Sequence, residues 1–373
     1  MKKYAFLILL LLITTIACSK LVLRQPEAHK ELEWPQTGGN AGHSNFTPEN
    51  LSLPLELKWR HRASSALGPS LLVTHDLIVY GTLDGKIEGV KINNGKKVGR
   101  IKIRGNFTAT CIAYKNFLLI VRRISQPTFQ LYDLMNGHSL WKDKGNGVFA
   151  EPMVAGDNVY YVDFSGQLCC RSLADGSERW KVELDAQSHT TPAFGNGFTV
   201  VGDDEGKVYA VDSSAHIVWK FSTESAVRAG VVVADETVYV GSTDHSFYAI
   251  NLADGKEKWK FVSGGRIYNT AAVSAEQVIF GGTDHKVYCL NRQEGSLLWT
   301  FAAKTIIGTA PLIANDKVFV GSLDKKLYVL DLKTGKLLWS YEAKGRIRTN
   351  PVVVNGKLIF ASENDWLYCF GEK

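Results

Sequence analysis

Residues 318–339 read VFVGSLDKKLYVLDLKTGKLLW and contain two alternating apolar and polar runs, two turn signals and a terminal tryptophan. An apolar spacing of two, in runs too short for a helix, marks these as strands. The position of Trp339 recurs at Trp299, Trp259, Trp219, Trp180, Trp141, Gly99 and Trp59, at intervals of 39 to 42 residues. Each occurrence belongs to a set of four strand-like runs, which in the best copy are 336–341, 351–354, 357–361 and 367–370. A repeat of about 40 residues with four short strands predicts an all-β fold, a β-propeller of four-stranded antiparallel blades.

The two ends complete each other. Residues 57–62 carry Trp59 with no strands before them, and 351–370 supply three strands with no tryptophan strand after them. An N-terminal strand that closes the last blade joins the ring ends and leaves no open seam, which predicts eight blades over 34–373. Blades one to three depart from the pattern. Gly99 replaces tryptophan, and Glu88, Gln130 and Cys169 stand where Tyr209, Tyr248, Tyr288, Tyr328 and Tyr368 stand later. A longer loop, 122–127, replaces the tight hairpin of the second blade.

At 373 residues, 45% apolar and 21% charged, the chain is long enough to bury a large core, and an internal period outranks the length-based expectation of several domains. The first residues form an export signal: Lys2 and Lys3, an apolar run over 5–13, then Thr-Thr-Ile-Ala before Cys18. The Ala17-Cys18 junction predicts cleavage after residue 17 and lipidation (palmitate) of Cys18. Ser19 in the next position directs such a lipoprotein to the outer membrane. Residues 18–33 lack periodicity and read as a lipidated tether. The preamble that follows, Trp34-Pro35-Gln36-Thr37-Gly38-Gly39-Asn40, reads as a glycine-rich coil anchored by one aromatic over the first or last blade. The formal charge of +6 falls to +4 once Lys2 and Lys3 leave, too weak and dispersed a bias for nucleic acid.

Few positions carry chemistry. Trp59, Trp141, Trp180, Trp219, Trp259, Trp299 and Trp339 are structural, packing between neighbouring blades. Cys170, Cys289 and Cys369 fall where Ala210, Ala249 and Val329 stand, so they are small buried residues; Cys111 is treated the same way. A Cys169–Cys170 disulfide would break strand geometry, because neighbours on a strand point to opposite faces. The Asp244-His245 and Asp284-His285 pairs and the Asp203-Asp204-Glu205 run read as hairpin turns, not metal ligands. No nucleophile-elbow, zinc-protease or phosphate-cradle motif occurs, so no catalytic residue is assigned. One constellation remains. Three residues before the repeat position of Pro351 lie Phe149, His189, Arg228, Tyr268 and Arg348, with Arg266 and Arg346 two residues earlier. These residues are expected to ring the channel mouth and to receive a partner loop or an acidic ligand.

With its tryptophans, Gly-Ser-x-Asp hairpins and Thr-Gly-Lys turns, the chain from about Trp34 onward resembles the pyrroloquinoline-quinone-like repeat propellers. Among them it is similar to lipoproteins accessory to outer-membrane β-barrel assembly. That resemblance implies a non-catalytic scaffold without cofactor, anchored in the outer membrane, facing the periplasm and binding the β-barrel assembly machine. A scaffold for another envelope complex is the alternative. A quinone-dependent dehydrogenase is a further one, but its calcium ligands and catalytic aspartate match no motif here.

Overall fold

The computed structural model describes residues 20–23, 33–103, 109–124 and 126–373. The expected signal segment and Cys18 lie outside the described residues. Eight four-stranded antiparallel blades follow one another along the chain, and the sheet of the seventh gains a short fifth strand in parallel from the N-terminal region. Seven are contiguous, as in blade five with Val232–Ala234, Thr237–Gly241, Ser246–Asn251 and Glu257–Val262. The eighth takes Val352–Val354, Lys357–Ser362 and Trp366–Glu372 from the C-terminal end and its outermost strand, Leu55–Arg62, from the N-terminal side, with Trp59 opposite Cys369. The predicted closure and blade number are therefore those observed.

The second strands carry β-branched and aromatic residues on both faces because each blade is covered by a neighbour on either side; Thr237–Gly241 is buried at every position. Outermost strands alternate, and the tryptophan is the residue they turn inward. Core clusters accordingly join adjacent blades: Trp219 of blade four packs with Val231, Tyr248 and Leu252 of blade five.

The tryptophan column works through two contacts. The indole N–H donates to a backbone carbonyl in the next blade, as in Trp59 to Ile92, Trp141 to Leu173, Trp219 to Leu252, Trp259 to Arg292 and Trp299 to Leu332, at 2.7–3.0 Å. The ring then covers the glycine of that blade's outer hairpin. Gly335 is such a glycine, with φ of 69° and a Cβ position 2.6 Å from the Trp299 ring. Gly335→Ala combines a left-handed backbone with a ring clash and is expected to cost about 2–3 kcal/mol in chemical denaturation. Trp339 has no such hairpin to meet, because the outermost strand of the next blade comes from the other end of the chain; its ring packs edge-on against Phe370 at 5.4 Å.

The residue opposite the tryptophan is small in most blades, although Leu131 stands opposite Trp141. Cys170, Ala210, Ala249, Cys289, Val329 and Cys369 pair with Trp180, Trp219, Trp259, Trp299, Trp339 and Trp59. Cys169 and Cys170 are free and enter different core clusters, so they face opposite sides of their strand. The turn reading of the Asp-His pairs also has a structural account. His245 and His285 occupy the left-handed hairpin position that Gly166, Gly206 and Lys325 hold elsewhere. Asp244 and Asp284 accept hydrogen bonds from Tyr248 and Tyr288, and the Tyr288 hydroxyl, buried and beside that carboxylate, is pushed up to about 12.

Two expectations for the N-terminal region need correction. The preamble does not stop over the first or last blade. Trp34 is buried there, but the segment then runs around the whole ring, accepting N–H bonds from Val73, Ala113, Val154, Phe194, Val233, Val273 and Ile313 at 2.7–2.9 Å. These are equivalent positions on the inner edges of the innermost strands, and the preamble satisfies them, at blade seven as a short parallel strand, Phe46–Thr47, beside Leu312–Ala314. Gln36 uses its side-chain amide like a peptide, accepting from Val154 N and donating to Val154 O. Gly42 approaches blade five so closely that a Cβ would lie 2.3 Å from the Val233 carbonyl oxygen.

The second correction is that Lys20–Leu23, part of the expected tether, is packed rather than free. Leu21 is fully buried between blades one and two, and Leu23 N donates to Leu134 O at 2.8 Å.

Candidate functional site: the channel mouth

The preamble lines the inner edges of the blades, and the channel mouth forms a cup bounded in part by it. It holds a cavity of about 430 Å³, lined by Thr37 of the preamble and by loop residues that precede the innermost strands. Five predicted residues, Phe149, His189, Arg228, Tyr268 and Arg348, converge on it. The period explains this, since one column of a repeat occupies one height around a ring. Arg266 lines a smaller adjoining cavity of about 340 Å³ that shares Tyr268 and Arg348 with the first. Arg346 lines neither of these cavities; it lies 4.0 Å from Glu363 on the outer side of the rim.

The rim is less basic than its arginines suggest. His189 Nδ1 meets Asp204 at 2.8 Å, and Arg228 reaches the same carboxylate at 3.4 Å. Arg346 and Arg348 share Glu363 in the same way. Two positive or potentially positive groups per acid leave a mild positive field and partly ordered guanidinium groups, each about half exposed. Phe149 stacks on His189 with ring centroids 4.3 Å apart and on Phe164 at the same distance. Tyr268 is 42% exposed and Ile306, beside it, 37%.

The floor holds the residues that were not foreseen. Glu151 accepts hydrogen bonds from Thr37, from Ser70 at 2.7 Å and from Thr110 at 2.9 Å. Its column, two residues beyond that of Phe149, His189 and Arg228, contains Thr191, Gly230, Thr270, Ala310 and Asn350, and Glu151 is the acid among them. Arg123, from the irregular loop of blade two, also lines the cup. The Cys111 thiol faces this cavity, but burial and the Glu151 charge push its pKa far above neutrality, which leaves it a packing group and not a nucleophile.

The fold family includes quinone enzymes, and the cup was tested as a calcium and quinone site. Its one carboxylate, Glu151, is already occupied by three hydroxyl donors, and the other acids near it are bound to the rim cations. Among the described residues no group of three or more His, Cys, Asp and Glu converges. The donor set does not fit a calcium-bound quinone, and no step is derived through one.

The fold and the repeat both have counterparts among known proteins. The family model described as outer membrane protein assembly factor BamB matches residues 52–182, 174–305 and 283–371. The BamB of Legionella pneumophila (strain Paris) is 31% identical over 182 residues, 46% of this chain and 47% of that protein. The BamB of Shewanella oneidensis is 25% identical over 217 residues, 51% of this chain and 54% of the relative. The chain thus spans about half the length of these curated relatives. Among solved structures, BamB from Moraxella catarrhalis superposes with a TM-score of 0.73 at 18% identity, covering 85% of this chain and all of that one. A quinohemoprotein alcohol dehydrogenase from Pseudomonas putida HK5 reaches 0.75 at 11% identity, over 91% of this chain and 80% of that one. Likeness at such identities speaks to the fold alone, and it extends to an enzyme and an assembly factor equally. The matched repeats run through nearly the whole propeller, and this chain belongs to the family of the outer membrane protein assembly factor BamB.

Proposed function

We propose that the protein is a non-catalytic scaffold lipoprotein that assists outer-membrane β-barrel assembly. In this reading it is held through Cys18 in the outer membrane, faces the periplasm, and binds a component of the β-barrel assembly machine through its channel-mouth rim. The family match over 52–371 is the observation that carries this reading. The rim supports it: half-exposed arginines held by Asp204 and Glu363, beside exposed Tyr268 and Ile306, are the residue types that dominate protein interfaces. A hydrolytic or redox role finds no support in the cup, where the thiol is held protonated and the one floor carboxylate is saturated with donors.

The test is affinity capture from solubilised envelopes. Wild-type protein is expected to recover β-barrel assembly components, and Arg228→Glu combined with Arg348→Glu to lower that recovery at least tenfold at low salt. Capture of a different envelope complex would replace the assembly reading with that of another scaffold. Undiminished capture by the double variant would remove the rim from the binding surface.

A further inference from the structure

Blade one is the one blade whose outermost strand offers no tryptophan, and something else fills the vacancy. Around Gly99 the space is taken by the backbone of Lys20 and Leu21: a Cβ on Gly99 would lie 2.3 Å from Lys20 O and 2.8 Å from Leu21 Cα. The Leu21 side chain covers Gly89, the residue opposite Gly99, where a tryptophan ring would otherwise lie. Leu23 N–H donates to Leu134 O at 2.8 Å, and Leu134 follows the third strand of blade two as Leu173 follows that of blade three. In blade three, Leu173 O accepts from the Trp141 indole. Lys20–Leu23 thus supplies both parts of the missing tryptophan, its apolar bulk and its N–H. Gly137, in the outer hairpin of blade two, packs on Val22 as Gly176 packs on Trp141. Tyr132 adds a bond from its hydroxyl to Leu21 O at 3.0 Å.

Lys20 pairs in parallel with Arg100 on the outermost strand of blade one, Lys97–Lys102. That strand, KVGRIK, carries three cations and no acid; Lys97 is paired with the buried Glu88, and Lys96, Lys102 and Lys20 are exposed around it. On the opposite side of the ring the outermost strand of blade five, EKWKFV, is nearly balanced. Cys18 lies two residues before Lys20 in sequence.

We infer that Lys20–Leu23 is a docked strap that pins the lipid attachment point to the outer edge of blades one and two, so that this basic edge lies against an anionic lipid surface. The propeller then stands on its side, with the channel axis along the membrane plane and the channel mouth open laterally to a membrane-bound partner. A chain leaving the ring through a free tether would impose no such orientation. The inference rests on the lipid-anchored part of the proposed function.

The experiment uses full-length protein, with acylation of Cys18 checked by mass spectrometry, in vesicles of phosphatidylethanolamine and phosphatidylglycerol containing nitroxide-headgroup lipid. A fluorophore placed by Lys102→Cys is expected to be quenched several-fold more than one placed by Glu257→Cys on blade five. Hydrogen exchange at the Leu23 amide is expected to be slow in the wild type and at least tenfold faster in Gly99→Trp, whose indole takes the strap's place. Leu21→Asp frees the strap without altering a blade and serves if the tryptophan variant folds poorly; either variant is expected to abolish the quenching difference. Fast Leu23 exchange in the wild type overturns the strap. Acylated protein with equal quenching at the two positions overturns the lipid-facing edge alone. Unacylated Cys18 overturns the anchored reading of the function and the lipid-facing edge with it.

Discussion

Trp299→Ala is expected to destabilise the propeller by about 3–5 kcal/mol. The ring is 92% buried, and its N–H is matched by Leu332 O at 2.9 Å. Truncation leaves three unfavourable consequences together: a cavity between blades six and seven, an unmatched carbonyl, and a left-handed Gly335 hairpin with no ring against it. The third strands on either side of the space, Lys286–Asn291 and Lys326–Asp331, cannot collapse into it, because each is fixed by a ladder on both sides. Trp339→Ala provides the comparison. That ring is partly exposed and meets Phe370 instead of a hairpin glycine, so its loss is expected to be clearly smaller. Chemical denaturation followed by circular dichroism reads both; an unchanged midpoint for Trp299→Ala would refute the account of the tryptophan as a blade-to-blade clasp.

The same column shows why much of the fold is legible in the sequence. A propeller reuses one contact, so each blade repeats the side chains that make it, and the spacing of Trp219, Trp259 and Trp299 reveals the architecture before any pairing is known. The Gly99 vacancy is legible as a gap, but its filler is not. Leu21 lies far upstream in a segment without periodicity, and its partnership with Gly99 leaves no pattern that spacing can detect. The course of the preamble is hidden for a different reason. Most of its bonds to the innermost strands are made by backbone groups, which every residue possesses, while Gln36, Thr37, Asn45 and the tight approach at Gly42 leave a side-chain trace.

At the channel mouth, column alignment brings Phe149, His189, Arg228, Tyr268 and Arg348 together correctly. The charge of the rim cannot be read from that column, because its neutralising acids, Asp204 and Glu363, belong to another one, the hairpins between second and third strands. Glu151 stands out only in a different column again, two residues further along the chain. Irregular blades thus contribute what the regular ones cannot: an acid at the floor, Arg123 at the wall and a glycine that admits the strap.

Lowering the pH is expected to loosen the preamble first, through His43. This residue is 98% buried in the segment that runs along the innermost strands, and desolvation lowers its pKa from 6.5 to about 4. Between those values the unfolded chain binds a proton at this site and the folded chain does not. Stability therefore rises with pH across the window and is lost as pH falls through it, by about 3 kcal/mol from this group once pH 4 is reached. His61 is shifted in the same direction by burial, and several carboxylates with lowered pKa add to the acid sensitivity, so the measurement must isolate His43. His43→Asn does so. The backbone there has φ of 56°, a conformation asparagine tolerates better than most residues, and the amide does not titrate. Urea unfolding at pH 7.5 and pH 4 should show the wild type losing about 3 kcal/mol more than the variant between the two conditions, whatever the variant's stability at neutral pH. Equal losses would mean that the His43 ring is solvated or finds an acceptor when charged, and that the preamble is packed less tightly against the innermost strands than its hydrogen bonds imply.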